Sequence, residues 1–264
     1  METKTILIAF LLTLVAGLST GIGSLISLIA KRTNTNFLSF SLGLSAGVMI
    51  YVSFMEMLPQ SLLMFTEQYG AKTGSLYMLL GLFGGIVFIA LIDFMVPKSS
   101  NPHEVHAVEE MRLKSELRYT GIITAITIAI HNFPEGIATF MSALNSLEIA
   151  IPITVAIAIH NIPEGIAVAV PIYHSTGSKK KAFWLSFSSG LAEPVGALIA
   201  FFFLLPFWSL TLNAFVLSAI AGVMIFISLD ELLPTAEKFG KHHHSITGLV
   251  VGMLVMALSL YLFI

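Results

Sequence analysis

The sequence predicts an all-α integral membrane protein with eight transmembrane helices, inverted internal repeats and both termini outside. Three observations predict this fold class: the composition, the long apolar runs and the repeats. Of the 264 residues, 56% are hydrophobic and 11% are charged, whereas a soluble domain has about 25% charged residues. No cysteine is present, which excludes disulfides and thiolate metal sites. The net charge of -2 provides no field that would attract nucleic acid.

Each apolar run is long enough to cross a bilayer, which takes about 20 residues. We interpret the first run as a membrane helix and not a signal peptide, because Lys31 and Arg32 follow it. The predicted helices 1 to 8 are about 5–30, 36–58, 74–96, 120–142, 149–171, 182–205, 211–233 and 245–264. They make residues 1–264 a single transmembrane domain with one longer connection, 97–119.

The distribution of lysine and arginine predicts the orientation of these helices. The connections on one side of the membrane hold eleven of the 13 basic residues, and the other side, with both termini, holds only Lys4 and Lys72. Because positive residues accumulate in cytoplasmic loops, the connections 97–119 and 172–181 are predicted to be cytoplasmic.

Two pairs of segments repeat within the chain. AGVMIYVSFMEMLPQS (46–61) matches AGVMIFISLDELLPTA (221–236) at nine of sixteen positions, and GLSTGIGSLI (17–26) resembles GLAEPVGALI (190–199). Helices 1 and 2 therefore correspond to helices 6 and 7, which implies that helix 3 corresponds to helix 8. Corresponding helices run in opposite directions, so the repeats are inverted. Inverted repeats are typical of transporters with a substrate site near the membrane midplane.

A polar motif interrupts helix 4 and recurs in helix 5, as AIHNFPEGIA (129–138) and AIHNIPEGIA (158–167). In each copy, histidine and glutamate are four residues apart and share a helix face, with an asparagine beside them. Helix 6 adds a further glutamate, which is followed by Pro194. The candidate metal-binding side chains of the three helices are His131, Asn132, Glu135, His160, Asn161, Glu164 and Glu193.

The buried glutamates require a partner. A charged residue at the centre of a membrane helix costs about 2.5–3.5 kcal/mol on insertion scales, and helices 4, 5 and 6 contain no lysine or arginine. A divalent cation would neutralise Glu135, Glu164 and Glu193, and the ligand set suits Zn²⁺, Fe²⁺ or Mn²⁺. A shared carboxylate could hold a pair of ions. The alternative is a pair of proline-kinked helices joined by polar hydrogen bonds.

The prolines of the motif fit a site at this depth. Pro134 frees the carbonyl of Ile130, and Pro163 frees that of Ile159. Irregular backbone inside a membrane is tolerated where it lines a cavity or is buried in protein. Each copy of the motif therefore offers extra carbonyl oxygens beside its side-chain ligands.

Weaker signals lie away from the centre. Glu56 near the outer end of helix 2, and Asp230 with Glu231 near the inner end of helix 7, could relay metal at the entrance and exit, or could be solvated helix-end residues. Met49, taken alone, is more often a core residue than a ligand. Histidines in two cytoplasmic connections are either transient metal contacts or parts of solvated turns; they are His103, His106, His242, His243 and His244.

Eight helices, HNFPEG in helix 4, HNIPEG in helix 5 and Glu-Pro in helix 6 resemble the ZIP (Zrt-, Irt-like) metal-ion transporters, in particular the bacterial ZupT/GufA-like branch. The resemblance covers nearly the whole chain. It implies a 3+2+3 helix arrangement, alternating access and a binuclear site at the midplane. By resemblance, one ion is surrounded by His131, Glu135, His160, Glu164 and Met49. The second is surrounded by Asn132, Asn161 and Glu193, with Glu135 and Glu164 bridging.

The resulting hypothesis is a multi-pass permease of a bacterial cytoplasmic membrane that takes up zinc and also iron, manganese, cobalt and cadmium. It expects no enzymatic activity and no cofactor besides the transported ion. Its expected partners are divalent metal ions and the lipid bilayer, and not nucleic acid; a homodimer is compatible with the sequence. The competing hypothesis is a membrane-embedded di-metal carboxylate enzyme, which facing helices with His and Glu also suit. Neither Glu-x-x-His nor His-Glu-x-x-His occurs in the chain.

Overall fold

The computed structural model of the protein describes residues 3–29, 35–95, 114–145, 147–239 and 242–262. Within these ranges the protein contains helices and no strand. The helices are α1 (Thr3–Ile29), α2 (Thr35–Val52, a π-helical turn at Ser53–Met57, then Leu58–Tyr69), α3 (Ala71–Met95), α4 (Lys114–Asn145), α5 (Leu147–Thr176), α6 (Lys179–Gly190, Ala192–Ile199, a π-helical turn at Ala200–Leu204 and a 3₁₀ turn at Leu205–Phe207), α7 (Leu210–Ile227, a π-helical turn at Ser228–Leu232, then Leu233–Phe239) and α8 (His242–Leu262). The predicted all-α fold class is confirmed.

Among the described residues, seven helices are long and apolar enough to cross a membrane: α1, α2, α3, α5, α6, α7 and α8. α4 has 32 residues and so is long enough, but several side chains along it lie outside the described residues, and it is not counted here. The eighth span and the external position of the termini therefore stay predictions. Several helices extend beyond their predicted ends, and α2 continues to Tyr69, because hydropathy marks only the apolar part of a helix.

The helices pack in two groups. α1, α4, α5 and α6 all contact one another, whereas in the second group α2 packs on α3, α7 and α8, and α3 also packs on α7. The groups meet mainly where α2 packs on α5 and where α7 packs on α4. The repeat relates these two contacts to each other, because α2 corresponds to α7 and α5 corresponds to α4.

Close backbone contacts follow the same symmetry. A Cβ atom added at Gly136 of α4 would lie 2.0 Å from the carbonyl oxygen of Glu193, and one at Gly165 of α5 would lie 2.0 Å from that of Thr20. Thr20 and Glu193 are equivalent positions of the repeat. Only glycine allows backbones to approach this closely, so both copies of the motif use their glycine to dock on the repeat-related helices α1 and α6.

The group formed by α2, α3, α7 and α8 has close glycine-to-carbonyl contacts of the same kind. A Cβ at Gly47 of α2 would lie 2.0 Å from the carbonyl oxygen of Leu249 in α8, and one at Gly222 of α7 would lie 2.1 Å from that of Leu82 in α3. α3 therefore packs on α7 in the same way as α8 packs on α2. This agrees with the predicted correspondence of helices 3 and 8.

α2 and α7 also share a local irregularity. Their π-helical turns, Ser53–Met57 and Ser228–Leu232, occupy equivalent positions of the repeat. Each precedes a proline by two residues, Pro59 in α2 and Pro234 in α7. Since proline offers no N–H to the preceding turn, the helix widens and pairs with i+5 spacing. The glutamates at 56 and 231 lie within these turns.

Candidate metal centre

The two copies of the polar motif meet across the interface of α4 and α5. His160 Nε2 of α5 lies 3.0 Å from Glu135 Oε2 of α4. Glu135, His160 and Glu164 are each at most 1% exposed. The histidine of one copy thus pairs with the glutamate of the other copy. The repeat relates this pair to His131 and Glu164, but the side chain of His131 lies outside the described residues.

α6 brings a third carboxylate to this interface. Glu193 is fully buried, and its Oε1 accepts a hydrogen bond from Asn161 Nδ2. The same amide nitrogen donates to the backbone carbonyl of Ala16 in α1, at 3.0 Å. Asn161 therefore connects α5 to both α1 and α6, and it holds Glu193 at the centre. The approach of Glu193 depends on Gly136, as described above.

Asn132 of α4 can be placed in two amide orientations. In one, Nδ2 lies 3.5 Å from the carbonyl oxygen of Ser189, which is the repeat counterpart of the contact between Asn161 and Ala16. In the reversed orientation, Nδ2 donates to Glu164 Oε2 at 3.2 Å and to the carbonyl oxygen of Ile128 at 3.2 Å.

The reversed orientation is the one that satisfies the amide, because the first would set the amide oxygen of Asn132 against Glu164 Oε2. Glu164 of one copy of the motif thereby accepts a hydrogen bond from Asn132 of the other copy.

The electrostatics of the centre favour a cation. Glu135, Glu164 and Glu193 are buried together, and no lysine or arginine is buried with them in the described part of the chain. Imidazole nitrogen, carboxylate oxygen and amide oxygen are together a donor set for zinc and neighbouring divalent metals. No three described His, Asp or Glu side chains already form a preassembled metal group. The complete ligand set, including His131, therefore stays a prediction.

The other predicted site residues of α2 are Met49 and Glu56. Met49 is fully buried in an apolar cluster that includes Ala138 of α4 and Ala156 of α5. Glu56 accepts a hydrogen bond from Gln60 Nε2 at 2.5 Å.

On α7, Glu231 is buried and Asp230 is partly exposed. His242 Nδ1 lies 2.7 Å from Glu237 Oε1, and both side chains are exposed. His103 and His106 are outside the described residues.

Two serines that sequence reasoning missed support the motif of α5. Ser186 Oγ of α6 donates to the carbonyl oxygen of Gly165 at 2.9 Å, and Ser24 Oγ of α1 lies 2.6 Å from Ser186 Oγ. Small polar residues at helical spacing in the first and sixth apolar runs were the available signal. The carbonyl of Ala16 carried no signal, because every residue has one.

A helical membrane protein of inverted repeats, with carboxylates, imidazole and amides buried where the repeats meet, has the architecture of a secondary transporter. Comparison with known proteins gives the family: the one described as ZIP Zinc transporter matches residues 3–115 and 97–260. The chain belongs to the ZIP family.

Its relatives agree with this assignment along almost their whole length. The chain is 58% identical over 257 residues to the zinc transporter ZupT of Streptococcus mutans, covering 97% of both chains. It is 54% identical to the zinc transporter ZupT of Clostridium perfringens, covering 99% of this chain and 98% of the relative. For the protein of that name from Lysinibacillus sphaericus, identity is 55%, with 98% of both chains covered. With seven candidate spans, the chain is a multi-pass protein of the bacterial cell membrane.

Proposed function

We propose that the protein carries divalent metal ions, zinc in the first place, across the membrane into the cytoplasm. The observation that carries this proposal is the buried pair of His160 and Glu135, formed between two copies of one motif at the interface of inverted repeats. Relatives that are named zinc transporters over almost the full chain support the same substrate. The orientation proposed is the predicted one, with both termini outside.

The proposed site is binuclear. Replacement of hydration water by carboxylates and imidazoles would let the ion leave water at membrane depth, while its charge cancels that of the glutamates. The first ion is held by His131, Glu135, His160, Glu164 and Met49, and the second by Asn132, Asn161 and Glu193 with both motif glutamates bridging.

The proposed transport cycle is alternating access between the two helix groups. Seven of the eight proposed ligands are carried by α4, α5 and α6, which belong to the group that also includes α1; Met49 is carried by α2 of the other group. The contacts between the groups are limited mainly to the repeat-related pairs α2–α5 and α7–α4. Movement of one group past the other would therefore carry the ion with its main ligands. Glu56 would serve as the outer relay, and Asp230 with Glu231 as the inner one.

Iron, manganese, cobalt and cadmium are proposed as further substrates. Nitrogen and oxygen donors bind several divalent metals, so availability and geometry decide which one is carried. Competition of each metal with radiolabelled zinc in proteoliposomes would rank them.

The decisive experiment is metal-stimulated zinc flux in proteoliposomes. The double variant with Glu135→Ala and Glu164→Ala should reduce flux to the level of protein-free liposomes. Glu148→Ala, which removes an exposed carboxylate from the same helix α5, should leave flux unchanged. Intact flux in the double variant would refute the proposal. Metal-dependent turnover without flux would instead favour the membrane di-metal carboxylate enzyme.

A further inference from the structure

A groove of about 400 Å³ lies between α4, α5 and α6, away from the metal centre. α6 supplies one wall through Lys181, Leu185 and Ser188. These residues are spaced by four and three positions and therefore share one face of the helix. At 1.5 Å per residue they extend over about 10 Å along its axis. The groove thus runs parallel to a membrane-spanning helix, in the direction of lipid chains.

The polarity of the groove changes along its length. Thr176 ends α5 and Lys181 lies in the first turn of α6, so both stand at the end of the groove where the chain turns at Gly177. Further along, Ile122 of α4 and Ile172 of α5 give it an apolar lining. The groove therefore has one cationic, hydroxyl-bearing end and one hydrocarbon end.

The cationic end is also the most basic part of the described chain. Lys179, Lys180 and Lys181 are consecutive and exposed, and no described acidic side chain lies at ion-pair distance from Lys181. Trp184, which lines the same groove, is 55% exposed. Tryptophan prefers the level of the lipid headgroups, so the indole places this end of the groove at the membrane surface.

We propose that this groove binds one anionic phospholipid, with its phosphate at Lys181 and an acyl chain along Leu185 and Ile172. Charge complementarity selects an anionic headgroup, and the apolar lining selects a lipid over free phosphate. Basic pockets between transmembrane helices on the cytoplasmic side are suited to such headgroups. In the proposed orientation this end faces the cytoplasm. All three walls belong to the helix group that carries the metal ligands, so the lipid would bind to that group.

Trp184 is a natural reporter, because the chain has 2 tryptophans and Trp208→Phe leaves only this one. The Trp208→Phe protein would be placed in nanodiscs of phosphatidylcholine that contain increasing amounts of brominated phosphatidylglycerol or brominated phosphatidylcholine, and quenching of Trp184 would be measured. Brominated phosphatidylglycerol should reach half-maximal quenching at a mole fraction about five-fold lower, the factor that corresponds to about 1 kcal/mol for one lysine. Nanodiscs expose both leaflets alike, so the result does not depend on orientation.

The matched pair of variants is Lys181→Gln and Lys180→Gln in this background. Each removes one positive charge from the same helical turn, but only Lys181 lines the groove. Lys181→Gln should abolish the preference for phosphatidylglycerol, and Lys180→Gln should retain most of it. Equal quenching by the two brominated lipids would overturn the proposal. So would an equal loss of preference in both variants, which would indicate attraction by surface charge without a site. Zinc binding to the purified protein should be unchanged in all of these lysine variants. The lipid experiment is therefore independent of the zinc-flux experiment that tests the proposed function.

Discussion

The two sides of the candidate metal centre share their backbone packing and differ in their chemistry. On one side Gly136 of α4 docks on the backbone of Glu193, and on the other Gly165 of α5 docks on that of Thr20, at the same distance of 2.0 Å from an added Cβ. Glu193 binds Asn161 at the centre, whereas Thr20 brings only a hydroxyl. The repeat has therefore been kept where helices must pack, and it has diverged where charge is placed. The centre is symmetric as a scaffold and asymmetric in the polar side chains that it buries.

The largest effect should come from breaking the shared scaffold. Gly136→Ala and Gly165→Ala each force a Cβ against a backbone carbonyl that cannot move alone, and such overpacking costs about 1–3 kcal/mol. We expect both variants to lower the midpoint of thermal unfolding in detergent to a similar extent. Gly84→Ala is the control, since a Cβ there has no described neighbour within 4 Å. A loss confined to one of the two motif variants would show that the packing is not symmetric.

The comparison also separates what the sequence could predict from what it could not. The helices and their repeat were predictable because apolar runs, the prolines and the near-identical motifs are local signals. The spacing of His160 and Glu164 predicted a shared helix face, but the partner of His160 is Glu135 on the neighbouring helix. That contact depends on how closely α4 and α5 approach each other. The acceptor for Asn161 is a backbone carbonyl of α1, which no side-chain pattern can mark.

The second prediction concerns the divergent ligands. If Glu193 holds the second ion, Glu193→Gln should reduce the zinc bound per chain from two to one, with affinity for the lost ion at least about tenfold weaker. Thr20→Val, at the equivalent position, should leave both ions bound. Equilibrium dialysis with elemental analysis measures the stoichiometry. Loss of an ion in both variants, or in neither, would contradict the functional asymmetry of the repeat.

A third prediction tests the same asymmetry through protons. Ligands must be deprotonated to bind a metal, so zinc binding should release protons and weaken steadily as the pH falls from about 7.5 to 5. Glu193→Gln removes one titratable ligand, and its zinc affinity should therefore depend less steeply on pH. Titration calorimetry in buffers of different ionisation enthalpy counts the released protons. An affinity that does not change over this range would argue against a centre of histidine and glutamate.

The smallest effect is expected at Glu56 and Glu231, the repeat-related carboxylates of the two π-helical turns. Glu56 is held by Gln60 at 2.5 Å and lies in a different helix from the hydrogen-bonded centre. Its removal should therefore change how fast the ion arrives, and not how tightly it is held. Glu56→Ala should slow zinc uptake severalfold while equilibrium binding to the purified protein stays the same. Glu67→Ala, which removes an exposed carboxylate three turns further along α2, is the control for general surface charge.

Because Glu231 is the repeat counterpart of Glu56, Glu231→Ala should slow the release of zinc into the cytoplasm. Stopped-flow flux measured in both directions would distinguish the two variants. If Glu56→Ala weakened equilibrium zinc binding instead, Glu56 would be part of the metal centre. The proposal that the carboxylates of the π-helical turns only relay the ion would then fail.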